Sequence, residues 1–267
     1  MTYIEPHDGG FILATESTPF HPRDYRWPDQ PEDKGYLENS LGRRYDLSDV
    51  VFMGRSPDGA VYVAEAIPVR KGEPGWHFFV GHVVREDRPD FEVGDGVILQ
   101  VDRSIRWRLS RAHSAAHVMS YALNESFSRR WRREVSTLDG MGNPNFDAIA
   151  AEMSSIDLLS CSDRYRLGKT MRKKGFSTDG LSDDITAHER EINALVGEWM
   201  RRDAPVTIRA EEDGLVSERY WRTTLNGVEV EMPCGGTHVS RLSEIGGIRV
   251  GLEMPDDETL IITTNVR

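Results

Sequence analysis

The chain has 267 residues, 33 of them basic and 44 acidic, for a formal net charge of −11. That negative excess argues against a protein that coats nucleic acid non-specifically, while leaving room for a focused basic patch. With 38% hydrophobic and 29% charged residues the composition is that of a globular chain, and no run of eighteen apolar residues is present to span a membrane. The N-terminus, MTYIEPHDGG, lacks a basic stretch followed by an apolar one, so no secretory signal is expected and the cytoplasm is the expected compartment. Two cysteines, Cys161 and Cys234, suit a reducing environment.

The first hundred residues read as short strands between turn signals: Gly10–Ala14, Val50–Met53, Ala60–Ala64, His77–Val80 and Val97–Val101. Ser56-Pro-Asp-Gly59 is a hairpin turn in which glycine supplies the positive φ. Several short strands at regular spacing predict a small barrel or sandwich. Near Asp102 the pattern changes. Leu109, Ala112, Ala116, Met119 and Leu123 recur at helical spacing, predicting an amphipathic helix from Arg106 to Phe127. A short helix is expected from Phe146 to Leu159, and a mobile, basic connection from Cys161 to Gly180. A second long helix carries the apolar stripe Ile185, Ile192, Leu195, Val196, Trp199 and Met200, with Asp183 or Asp184 as its cap and Pro205 as its end. Strands return at Val206–Arg209, Val228–Val230, Ile248–Val250 and Leu260–Thr263. The fold class is α+β, divided into a β-rich domain over 1–104 and an α+β domain over 105–267.

Two pairs of side chains stand out. His113-Ser-Ala-Ala-His117 lies on the first predicted helix, where four residues advance the chain by about 400°, so both imidazoles share one face. Cys234-Gly-Gly-Thr-His238 repeats the i, i+4 spacing with a thiolate and an imidazole. Together they form the donor set of a tetrahedral zinc site that closes on folding. The helical zinc-protease signature needs glutamate directly after the first histidine; Ser114 stands there, which excludes that chemistry. Gly235 and Gly236 allow backbone N–H groups to approach a bound carbonyl, carboxylate or phosphate, marking a pocket wall beside the metal. Basic residues cluster at Arg103–Arg111, Arg129–Arg133 and Lys169–Lys174, and one of these runs is expected to meet phosphate.

These motifs resemble the editing domain of alanyl-tRNA synthetase and its free-standing, medium-length AlaX-type relatives. Arg111 two residues before the first histidine, Glu244-Ile-Gly246 after the second motif, and Gln30-Pro-Glu-Asp-Lys-Gly35 near the N-terminus extend the likeness. So does the helical stretch from Asp184 to Val206 with Glu189, Glu191 and Asn193. The resemblance implies an N-terminal β-barrel followed by an α+β zinc-containing editing domain. It further implies hydrolysis, in trans, of the ester in tRNA(Ala) mischarged with serine or glycine. His113, His117, Cys234 and His238 would hold Zn2+, and Gln30, Ser114, Gly235, Gly236 and Thr237 would line the aminoacyl pocket. The partner would be the acceptor end of the tRNA, for which Trp131 between Arg130 and Arg132 is one candidate surface. Three features depart from the family: Trp27-Pro28-Asp29 replaces three glycines before Gln30, Ser114 replaces threonine, and Val118-Met119 replaces two leucines, apolar for apolar. Two alternatives stay open: editing of another tRNA such as Ser-tRNA(Thr), and, suggested by the first departure, a non-catalytic zinc-stabilised binding module.

Overall fold

The computed structural model describes residues 1–86, 88–212 and 214–267. Its α+β chain forms two compact units, one of Met1–Arg106 with Glu212–Ser217 and one of Trp107–Glu211 with Glu218–Arg267.

The first unit is one antiparallel sheet. Its strands are β1 (Tyr3–His7), β2 (Gly10–Ala14), β3 (Gly35–Glu38), β4 (Arg44–Arg55), β5 (Val61–Val63), β6 (His77–Val84) and β7 (Ile98–Val101). They are ordered β1-β2-β6-β4-β3-β7, with β5 added alongside β4. Among the described residues this path is open, because no ladder joins β7 to β1. The long β4 pairs with β3 through Arg44–Asp46 and with β5 through Met53–Arg55. Successive side chains point to opposite faces, and both faces are covered. Leu13, Leu37, Tyr45, Val50 and Val84 share one cluster, whereas Ile12, Val51, Met53 and Val83 form a second. That two-sided burial explains why Val50-Val-Phe-Met53 reads as an unbroken apolar run. The Ser56–Gly59 turn joins β4 to β5, with Gly59 at φ +91°.

The second unit is built around α1 (Arg103–Phe127), whose first turn is capped by the Asp102 carboxylate accepting from the N–H groups of Ser104 and Ile105. There follow α2 (Phe146–Ala150), β8 (Ala151–Asp157), β9 (Ser160–Arg166), α3 (Lys169–Lys174) and α4 (Leu181–Trp199). The chain ends with β10 (Thr207–Ala210), β11 (Arg219–Leu225), β12 (Val228–Pro233), β13 (Ile248–Asp256) and β14 (Thr259–Val266). Two antiparallel sheets result, β10-β11-β12 and β13-β14-β9-β8. One core joins Val118, Leu123 and Phe127 of α1 to Ile192, Val196 and Trp199 of α4 and to Trp221, Val250 and Ile262 of the sheets.

Several expectations are corrected here. The helix expected over Phe146–Leu159 stops at Ala150, where the chain turns into β8. The stretch from Cys161 to Gly180 is no loose connection: it holds most of β9 and all of α3. Neither Asp183 nor Asp184 caps α4; the N-cap is Gly180, left-handed at φ 64°, and both acids lie in the first turn, where they favour the helix dipole. The helix ends at Trp199, well before Pro205. No described helix is long and apolar enough to cross a membrane.

Candidate metal centre

On α1, Ser110, His113, Ser114 and His117 fall within an arc of about 100° at 100° per residue. All but His117 are buried as whole residues, and His117 is half-buried. Facing them is the loop that leaves β12. The Cys234 N–H donates to the Arg219 carbonyl at 2.8 Å, prolonging the β11–β12 ladder by one rung, and the chain then turns through Gly235, Gly236 and Thr237. On the exit side the Val206 N–H, just before β10, donates to the Ser240 carbonyl, so both ends of the loop are tied to backbone.

This arrangement brings the four donors together. One ligand atom from each of His113, His117, Cys234 and His238 lies within 4.8 Å of the others. Cys234 Sγ is 3.3 Å from His113 Nε2 and 3.2 Å from His238 Nε2. A tetrahedral zinc with ordinary bond lengths spaces its donors about 3.4–3.6 Å apart. The chemistry of the set fits as well. His117 Nε2 is wholly covered and has no hydrogen-bond partner among the described residues. Burial pulls the His117 pKa down to about 3, which keeps the ring neutral, the form that ligates. Trp221, fully buried, packs its ring 5.1 Å from that of His117 and gives the cluster a dry floor. The group can hold a metal ion.

The surrounding side chains are placed as follows. Ser114, fully buried, lies 3.1 Å from His238 Nδ1 and accepts from the Val239 N–H at 3.2 Å. The Gly236 N–H donates to Cys234 Sγ at 3.4 Å, a contact that favours thiolate. Gly235 is exposed, with no atom within 4 Å of where a Cβ would stand. Thr237 Oγ1 accepts from the Ser110 hydroxyl at 2.9 Å. Thus Ser114, Gly235, Gly236 and Thr237 all border the metal-ligating group. Gln30 belongs to the first unit, where it is 1% exposed and its N–H donates to Asp29 Oδ1. The bulky loop before it leaves Trp27 45% exposed.

Ser110, Tyr121 and Trp221 were not singled out by sequence reasoning. Ser110 was accessible to it, being one helical turn before Ser114 on the same face; Trp221 was not, because its role depends on strand register. The surface around Trp131 is less open than the sequence suggests. Its ring stacks edge-on against Phe176 at 5.2 Å, Arg130 is bound to His188 and Asp184, and Arg132 pairs with Asp179. A separate open cavity of about 800 Å³ adjoins these arginines, but Glu125, Asp184 and Glu191 balance Arg129, Arg130 and Arg132 in its wall.

No protein-family model matches the chain. It is 27% identical over 229 residues to the alanyl-tRNA editing protein AlaX-M of Pyrococcus horikoshii, covering 81% of this chain and 87% of that protein. It is also 27% identical over 249 residues to the alanine–tRNA ligase of Archaeoglobus fulgidus, and 29% identical over 183 residues to that of Trichormus variabilis. These matches span 91% and 65% of the chain but only 22% and 17% of the ligases. The chain therefore resembles the alanyl-tRNA editing protein over most of both lengths, and alanine–tRNA ligases over about a fifth of theirs.

Proposed function

We propose that this chain is a zinc-dependent aminoacyl-tRNA deacylase that acts in trans in the cytoplasm, removing serine, and glycine, from mischarged tRNA(Ala). The observation that carries the reading is the convergence of His113 and Cys234, 121 positions apart, into one donor cluster with His117 and His238. The alanyl-tRNA editing protein and the alanine–tRNA ligases among the relatives support alanine tRNA over threonine tRNA. We propose further that residues 1–104 are a β-rich domain and 105–267 the editing domain, with Gln30, Ser114, Gly235, Gly236 and Thr237 serving the aminoacyl pocket.

His113, His117, Cys234 and His238 would hold the zinc, which supplies positive charge and Lewis acidity near the ester. The rest falls to the chain. The Gly236 N–H is engaged by the Cys234 sulfur, so it steadies the thiolate and is not spare for an oxyanion. Exposed Gly235 leaves the loop unobstructed, room that a single-stranded CCA end requires. The Thr237 hydroxyl, oriented by Ser110, is the polar group suited to pair with a serine side chain. A site that hydrogen-bonds the substrate hydroxyl discriminates strongly against an analogue lacking it.

The test is deacylation of tRNA(Ala) charged with serine, glycine or alanine, and of Ser-tRNA(Thr), with and without a chelator. Serine release from tRNA(Ala) that chelation abolishes and zinc restores is the expected result. A His113→Ala variant that folds and keeps the full rate would sink the catalytic role of the metal. Zinc content with no deacylation of any of these tRNAs would leave a binding module instead.

A further inference from the structure

Two interleaved i, i+4 pairs occupy the buried face of α1, the histidines His113 and His117 and the serines Ser110 and Ser114. The serines meet the opposite loop rung by rung. Ser110 Oγ donates to Thr237 Oγ1 at 2.9 Å, and Ser114 Oγ contacts His238 Nδ1 at 3.1 Å while accepting from the Val239 N–H at 3.2 Å. One further turn along the same face, the Tyr121 hydroxyl donates to the Glu231 carbonyl at 2.9 Å, anchoring β12 just before Cys234. The loop from Cys234 to Val239 is therefore fastened to α1 on both sides of its ligands by groups that are not themselves ligands.

We propose that Ser110 and Ser114 are positioning residues, a hydrogen-bond seam that assembles the donor set before metal arrives and directs His238 to ligate through Nε2. Three observations carry this. The contact of Ser114 is to the ring nitrogen remote from Cys234, since Cys234 Sγ faces His238 Nε2 at 3.2 Å. With Nε2 ligating, Nδ1 carries the proton and donates it to Ser114 Oγ, which fixes tautomer and ring angle together. Both serines are buried, at 3% and 0% exposure, against the Thr237–Val239 stretch of the loop that they hold. Finally, Ser110 bonds among the described residues to Thr237, next to His238 in the chain, so its effect on the metal passes through the loop.

The inference rests on the cluster being a zinc site but not on tRNA being the substrate, so it is tested without tRNA. Zinc affinity is measured by competition with a chromophoric chelator for the unaltered chain, Ser110→Ala, Ser114→Ala, the double variant and Ser114→Thr. Ser154→Ala, which loses a hydroxyl bond to Asp163 on β9, is the control for a generic loss of stability. Loss of an outer partner typically weakens metal binding about 10–100-fold. That range is expected for Ser114→Ala, with a smaller loss for Ser110→Ala, recovery in Ser114→Thr and no change in Ser154→Ala. Substituted with Co2+, Ser114→Ala should also show a shifted visible spectrum, reporting altered ligand geometry. Folded Ser110→Ala and Ser114→Ala chains that bind zinc within twofold of the unaltered protein overturn the seam. Should Ser114→Ala fail to fold, Ser110→Ala decides alone. Failure of the unaltered chain to bind zinc would remove the metal centre, and the seam's role with it. A deacylase assay that fails while these affinities behave as stated would reject only the substrate.

Discussion

Two residues in the first unit, buried His82 and half-buried Asp29, respond to pH in opposite directions. His82 is fully buried on β6, its Nδ1 donating to the Leu13 carbonyl at 3.1 Å and its Nε2 therefore accepting from the Thr18 hydroxyl at 2.8 Å. Burial pulls its pKa down from 6.5 to about 4. Between those values the unfolded chain binds a proton that the native chain does not, so this contribution to stability is complete above 6.5 and lost as pH falls toward 4. Burial pushes Asp29 the other way, from 3.8 up to about 6. Its contribution is complete below 3.8 and lost as pH rises through 6, because there the native chain retains the extra proton. Between about pH 4 and 6 the two slopes, each near 1.4 kcal/mol per pH unit, oppose one another. Asp29→Asn, which keeps an acceptor for the Gln30 N–H, should stabilise the first unit at pH 7 by about 1–3 kcal/mol, and the gain should vanish below pH 4. His82→Gln should flatten the acid side by one proton. Urea unfolding at half-unit pH steps checks both; a gain from Asp29→Asn that is the same at pH 4 and pH 7 would contradict the assignment.

At the scale of elements, the edge of the four-stranded sheet is closed by a helix. β13 is a terminal strand, and its outward backbone groups would be open to pairing with another chain. Asn193 of α4 prevents this by taking both groups of Val250, donating from Nδ2 to the carbonyl at 2.8 Å and accepting the N–H on Oδ1 at 3.0 Å. Glu189, one turn earlier, accepts the Leu252 N–H at 3.0 Å. Asn193→Ala leaves two groups of a fully buried residue unpaired and should cost about 2–4 kcal/mol. Denaturation together with faster hydrogen exchange at Val250 would show it, and unchanged exchange would refute it. The stripes of α1 and α4 were legible in the sequence because Leu109, Ala112, Met119 and Leu123 on the first and Ile192, Val196 and Trp199 on the second are buried apolar residues at helical spacing. β9 and β11 were not. On β9 the inward residues are Cys161, Asp163 and Tyr165, with Asp163 accepting a bond from the Ser154 hydroxyl, so a polar composition hides a buried alternation. On β11 the inward Trp221, Thr223 and Leu225 are broken up in the same way, the Thr223 hydroxyl being absorbed by the Pro205 carbonyl. β8 is a mostly exposed edge strand with no periodicity to read.

For the whole molecule, the donor residues were legible because ligand chemistry and spacing are local properties. What holds them together was not, because the seam and the Trp221 floor arise from register between distant segments. Both histidines of α1 and both ligands of the loop belong to the second unit, so any ligand of this cluster is linked to the folding of that unit. Ligating atoms must converge to bind tightly, and the unfolded chain keeps His113 and Cys234 121 positions apart. Zinc at about a hundred times its dissociation constant should then stabilise the second unit by about 2.7 kcal/mol. For a unit of this size that corresponds to a rise of roughly 5–11 °C in its midpoint. The first unit contributes none of these ligands and should melt at the same temperature with or without metal. Calorimetry in zinc and in chelator resolves the two cases. Removal of Cys234 as Cys234→Ser should abolish the zinc-dependent shift while leaving the first transition in place, because it takes away a ligand and not a core contact of that unit. An equal rise in both transitions would instead mean that zinc acts on the chain through some other site.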